Sequence, residues 1–325
     1  MRRRSQVVRQ RSAKPLSAGS IPAVASNFSV PPRFAFTATV RSHGWYRLAP
    51  FRWSAEEQVL RRKEALPEGV VDLEIAMREG RLEVRGAAPS DALTARITRM
   101  LQLDVDLTEF HLLTRTSDAH LWVEPSGFGR LLCGTTVWED VIKVIATTNI
   151  QWGQTVRMVE LLVKKCGRDG AFPDPADVAR FSEAELQEDC RLGYRAKGIH
   201  ALAAGIASGA IDLDAISDRS QSTAELFRSY LGLPGIGPYG AAHLLAMDGR
   251  HDFIAVDTEF RRFVREAYHR GRAVSDETML RRYAKWGRWK YLAYWSELHG
   301  PVADALQPGA REAKQSTPPA GKPEY

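Results

Sequence analysis

Cysteine is scarce in this sequence. Cys133, Cys166 and Cys190 are too few and too scattered for a disulfide framework or a four-thiolate metal site. Reduced thiols in a cytoplasmic setting are the plain reading. Long apolar runs are missing too: none approaches the ~18 residues that a membrane-crossing helix needs. Acid is absent from the start of the chain, where the first carboxylate is Glu56 and Arg2, Arg3, Arg4, Arg9, Arg11 and Lys14 crowd the beginning. Such a stretch reads as a disordered basic arm over residues 1–32, although an organelle transit peptide has the same composition. What remains is ordinary for a globular protein. Of 325 residues, 44% are hydrophobic, and 45 Lys+Arg against 39 Asp+Glu leave a net charge of +6. That balance favours a polyanionic partner without proving one.

Order begins, on this reading, with a small α+β domain over residues 33–125. Phe34–Val40 alternates and is β-branched, as a strand should be. Val70–Met77 and Arg81–Arg85 flank Glu79-Gly80 and read as a hairpin. Ser90–Leu103 is an amphipathic helix with Leu93, Ile97 and Leu101 on one side. Residues 126–306 are helical in pattern. Val137, Val141 and Ile145 form one stripe, and a break at Thr147-Thr148-Asn149-Ile150-Gln151-Trp152 separates it from the next helix. Residues 307–325 are rich in Pro, Gly and Lys and read as a disordered tail.

The stretch around which the rest is organised is Leu231-Gly232-Leu233-Pro234-Gly235-Ile236-Gly237-Pro238-Tyr239-Gly240. Ser222-x-x-Glu225 is a capping box that starts the first helix. Pro234-Gly235 ends it, and Gly235 and Gly237 are expected at positive φ in the turn. Pro238 opens the second helix, where its missing N–H costs nothing. Such a turn bares N–H groups at a helix N-terminus, a ready site for a phosphate. Asp257 follows Gly237 by 20 residues, within Ile254-Ala255-Val256-Asp257-Thr258.

This arrangement resembles the helix-hairpin-helix (HhH-GPD) DNA glycosylase superfamily, which is defined by that hairpin, a Gly/Pro-rich loop and a following Asp. The 3-methyladenine DNA glycosylase II and 8-oxoguanine DNA glycosylase branches are the nearest in pattern. Gly193-Tyr194-Arg195-Ala196-Lys197 resembles a segment found in both, and Trp286–Trp295 resembles the closing helix, with Arg288, Lys290 and Tyr291 replacing its Pro, Arg and Ser. The resemblance implies an α+β fold: a small antiparallel-sheet domain followed by an all-α glycosylase core. It implies Asp257 as the catalytic carboxylate, with a helix N-cap as the plainer alternative. Leu233, Gly235, Ile236, Gly237 and Tyr239 would form the DNA-binding hairpin, through the N–H groups of Ile236, Gly237 and Tyr239. Asn149 matches the side chain that fills the gap left by an extruded nucleotide, although it would equally cap the next helix. Tyr239, His243 and Trp289 would line the base pocket. Arg261, Arg262 and Arg265 read either as a solvated face or as phosphate contacts.

Relatives that nick DNA carry a Lys where this chain has Tyr239, and Tyr cannot form their imine. The resemblance therefore implies a monofunctional enzyme that hydrolyses the N-glycosidic bond of a flipped-out alkylated base and leaves an abasic site. Alternatives are an 8-oxoguanine-type glycosylase and a non-catalytic DNA-structure binder. The iron–sulfur ligands of some relatives are lacking. No cofactor is called for, a monovalent cation at the hairpin being the one ion left open. The expected partner is double-stranded DNA with damaged bases, bound by a monomer in the cytoplasm at the nucleoid, with no membrane.

Overall fold

The computed structural model describes residues 25–300, so the arm over 1–24 and the tail beyond 300 lie outside the described residues. Five strands form one antiparallel sheet: β1 (Ala25–Phe28), β2 (Arg52–Ser54), β3 (Val59–Leu66), β4 (Gly69–Arg78) and β5 (Arg81–Arg85), in the order β1-β5-β4-β3-β2. The expected hairpin joins β4 to β5, and Glu79 (φ 50) and Gly80 (φ 76) take the two positive-φ positions that a tight turn of matching twist requires.

Two readings of the N-terminal region are corrected. Phe34–Val40 holds no strand; Phe36–Val40 is a helix, α1, and its buried residues Phe36, Thr39 and Val40 follow helical spacing. Thr39 satisfies its hydroxyl on the Ala35 carbonyl at 3.0 Å, which suits a β-branched residue to this turn. The edge position beside β5 belongs instead to Ala25–Phe28, taken from the stretch expected to be a disordered arm.

Helices make up the rest: α2 (Asp91–Met100), α3 (Thr108–Thr114), α4 (Val123–Ser126), α5 (Val137–Thr147), α6 (Trp152–Cys166), α7 (Pro175–Ala179), α8 (Glu183–Asp189), α9 (Arg195–Ala207), α10 (Leu213–Ile216), α11 (Thr223–Leu231), α12 (Pro238–Met247), α13 (Thr258–His269), α14 (Asp276–Arg281) and α15 (Lys290–His299). None is long and apolar enough to cross a membrane. Every residue of α12 from Gly240 to Met247 is buried. Ala241, Leu244 and Leu245 face a core shared with the sheet, α5 and α9, while Ala242 and Ala246 face a second core built from α3, α13 and α15. A helix apolar all round is one that sits inside, so its N-terminus is a fixed point.

The sheet is joined to α5 by charge. Arg62 and Glu64 point inward from β3 and meet Glu139 and Lys143 of α5, all four fully buried. Arg62 bonds Glu139 at 3.0 Å and Glu64 at 2.6 Å, and Lys143 bonds Glu139 at 2.5 Å. Burial works to raise the Glu139 pKa, but the two cations overcome it and hold the carboxyl at about 2.

Candidate functional site

The hairpin forms as its residues require. Ser222 and Glu225 make the reciprocal capping box of α11. Gly235 turns at φ 84, where a side chain would be strained and a Cβ would come within 3.2 Å of Ile145. Leu233 and Ile236 are buried and pin the turn to the core. The Ile236 N–H is already bonded to the Leu233 carbonyl at 3.1 Å, so it is not the free donor that was expected. Gly237 also departs from expectation: its φ of −107 is extended, not left-handed. It is the N-cap of α12 and has no side chain to cap it. The Gly237 and Tyr239 N–H groups meet no acceptor among the described residues, and a Cβ at Gly237 would face open space. These are the outward donors of the turn.

Asp257 is the N-cap of α13, and its Oδ1 accepts from the Phe260 N–H at 2.7 Å. Buried Ile254 and Ala255 lead the chain to it. Burial raises its pKa above the ordinary aspartate range, against the pull of the Phe260 and Glu259 N–H groups. Desolvation therefore outweighs the helix dipole. Arg261, the nearest cation in sequence, is turned away into a two-bond pair with Asp276 at 2.7 and 2.8 Å. Arg262 is taken by Glu259 and Glu266.

Aromatic rings surround this acid. Tyr239 is stacked on His243 at 5.9 Å, as positions one turn apart on α12 allow. Burial, then the Asp257 charge, pushes the Tyr239 hydroxyl up to about 12, and burial brings His243 down to about 4, leaving it neutral at physiological pH. Tyr291 meets His243 edge-on at 6.5 Å. Tyr291 and Tyr294 both come under the charge of Asp257. His43 and Trp45 reach the other side of His243, at 6.1 and 6.2 Å. Of these four, His43, Trp45 and Tyr294 were missed from the sequence, while Tyr291 belongs to the set of closing-helix aromatics too many for one buried stripe. His43-Gly44-Trp45 lies in a region that showed no catalytic pattern, and its aromatics beside a histidine were the available signal.

Trp289 is not brought to this cluster. Gly287 at φ 55 breaks the expected closing helix into a tight turn over Ala284–Trp289 followed by α15. Trp289 is thereby packed against Phe110 at 5.7 Å and stacked on His251 at 5.6 Å, inside the second core. Cavities of about 560 Å³ beside Arg130 and about 480 Å³ beside Glu297 have none of the site residues in their walls. Within the site, Tyr239 and Asp257 keep part of their surface exposed.

Asn149 stands exposed in the loop between α5 and α6 at φ 48, a backbone that Asn tolerates well. It does not cap α6, because the N-cap is Gln151. Its amide reaches the Tyr194 hydroxyl at 3.4 Å, and Arg195 donates to the Thr148 carbonyl. Tyr194 is 65% exposed beside it. At the far end of the loop, Trp152 lies across Gly44, where a Cβ would come within 2.5 Å of the indole.

The fold has close counterparts. The 3-methyladenine DNA glycosylase from Archaeoglobus fulgidus superposes with a TM-score of 0.69 at 18% identity, covering 84% of this chain and 98% of that one. The apo-form of the 8-oxoguanine glycosylase/lyase from Clostridium acetobutylicum superposes with a TM-score of 0.67 at 16% identity, covering 85% and 98%. No curated protein matches the sequence. Residues 142–288, which hold the hairpin, Tyr239, His243 and Asp257, match the HhH-GPD superfamily of base excision DNA repair proteins.

Proposed function

We propose that this chain is a monofunctional glycosylase that hydrolyses the N-glycosidic bond of a flipped-out alkylated base, of the 3-methyladenine type, in double-stranded DNA. The observation that carries this reading is Asp257: a half-buried carboxylate with no bound cation, beside Tyr239 and its aromatic neighbours. As the bond to the base breaks, the sugar gains cationic character that an adjacent carboxylate stabilises. Oδ1 is committed to Phe260, which leaves Oδ2 to face the sugar and orient the attacking water. The Gly237 and Tyr239 N–H groups hold one strand's phosphates without reading sequence. Asn149 and Tyr194 fill the gap left by the flipped nucleotide and offset part of the lost stacking. The partly exposed ring of Tyr239 and the neutral His243 suit an electron-poor, cationic base.

Tyr239 supplies no amine for a Schiff base, so product strands are expected to stay intact until heat or base is applied. Borohydride should trap no covalent protein–DNA adduct, and a trapped adduct would overturn the monofunctional reading. Excision should also fall at acid pH. Asp257 must be ionised to act, and burial raises its pKa. The acid limb of a single-turnover pH–rate profile is thus expected to have its midpoint above the ordinary value of about 3.9. A midpoint at or below that value would remove desolvation as the governing effect.

One observation favours the oxidised-base alternative: the Gly193–Lys197 segment holds the Asn149 loop through Tyr194 and Arg195. Duplexes carrying 7-methylguanine or 8-oxoguanine, assayed side by side, separate the two readings. Preferential excision of 8-oxoguanine would replace the alkylated-base proposal.

A further inference from the structure

Tyr291 carries a polar group that the scheme above leaves unused. The residue is 1% exposed. Its ring is stacked on Trp295 at 5.5 Å and on His251 at 6.0 Å, and its backbone N–H donates to the His251 carbonyl at 2.9 Å. Packed on both faces, the ring has one orientation. Its hydroxyl is buried and has no hydrogen-bond partner. Buried polar groups are nearly always satisfied, and one that is not costs stability; several side chains among the described residues are left so, and Tyr291 is the one whose hydroxyl also comes under the charge of Asp257. Burial first, and then the charges of Tyr239 and Asp257, hold the hydroxyl protonated, so it is a standing donor.

We propose that Tyr291 is a catalytic residue whose hydroxyl donates a hydrogen bond to the departing base, a role that rests on the glycosylase reading above. In that reaction the C1′–N bond breaks and its electron pair goes to the base. Water oxygen bonds to C1′, and the water proton is taken up through Asp257. A cationic alkylated base leaves neutral and that proton passes to solvent. A neutral damaged base leaves as an anion and must acquire the proton, while the Tyr291 hydrogen bond holds its charge until it does. Tyr291 keeps its own proton throughout. Dependence on Tyr291 is therefore greatest for bases that start out neutral.

The test compares the wild-type chain with Tyr291→Phe in single-turnover excision of 7-methylguanine, which is cationic, and hypoxanthine, which is neutral. The ratio of hypoxanthine to 7-methylguanine rates should fall by roughly 10²-fold, the usual loss when one transition-state donor is removed. The melting temperature of the variant should equal or exceed that of the wild type, because the hydroxyl it loses had no partner. A parallel loss on both bases, or an unchanged ratio, overturns the assignment. Wild-type excision of 7-methylguanine with none of hypoxanthine also overturns it and leaves the alkylated-base reading standing. Failure of the wild type on every lesion removes both.

Discussion

Replacing Asp257 with Asn is expected to slow excision by roughly 10²–10⁴-fold while leaving duplex binding in place. Asn keeps the size and hydrogen-bonding shape of the residue, and it caps helices as well as Asp does, so α13 retains its start. The charge is what goes. A carboxyl whose pKa is raised by folding adds stability below its unfolded pKa and loses that contribution as pH rises through the folded value. Burial raises Asp257 in this way, so at neutral pH its ionised form is a liability to the fold. The variant should therefore melt at or above the wild-type temperature. Thermal melts and filter binding run alongside the excision assay separate the two roles. Loss of excision together with a lower melting temperature would make Asp257 a cap and no more.

The second large effect is expected far from the site, at Glu139. Replacing it with Leu leaves Lys143 without its carboxylate and Arg62 with Glu64 alone, all fully buried. Removing one partner from a buried ion pair costs about 3–5 kcal/mol, which lowers the melting temperature by on the order of 10 °C. The wild-type contribution has a pH signature. Folding depresses the Glu139 pKa to about 2, so its stabilisation is complete above the ordinary glutamate range and drains away as pH falls toward that value. A melting temperature unchanged in Glu139→Leu at neutral pH would show that the cluster contributes nothing net.

The same cluster shows why part of the fold was hard to read. Val59–Leu66 turns Leu60, Arg62, Glu64 and Leu66 inward, and two charges on the core face hide the alternation that marks a strand. The β4–β5 hairpin was legible because its turn needs positive φ at Glu79 and Gly80 and β5 alternates cleanly. The Ser222 capping box and the turn at Gly235 were legible for a like reason: their chemistry is local. Phe36–Val40 misled because Phe36 and Val40, four residues apart, share a face in a strand and in a helix alike, and only the burial of Thr39 separates the two. At the site, Asp257, Tyr239 and His243 follow from spacing on α12 and α13. His43, Trp45, Tyr291 and Tyr294 reach them only through tertiary packing. Trp289 packs on Phe110 and His251, away from Tyr239 and His243, and the turn at Gly287 just before it is not marked by any periodicity in the sequence.

Trp152 resting on bare backbone at Gly44 has a bearing on how such a protein would search a genome. The loop that Trp152 anchors is also held from the other side by Arg195, so its projecting tip is shaped during folding. A probe hardened beforehand meets its entropic cost once per molecule and not at each base pair tested. Enlarging residue 44 would loosen that seat, and under the role proposed for the loop the damage would surface as slow interrogation of intact DNA long before it touched the breaking bond.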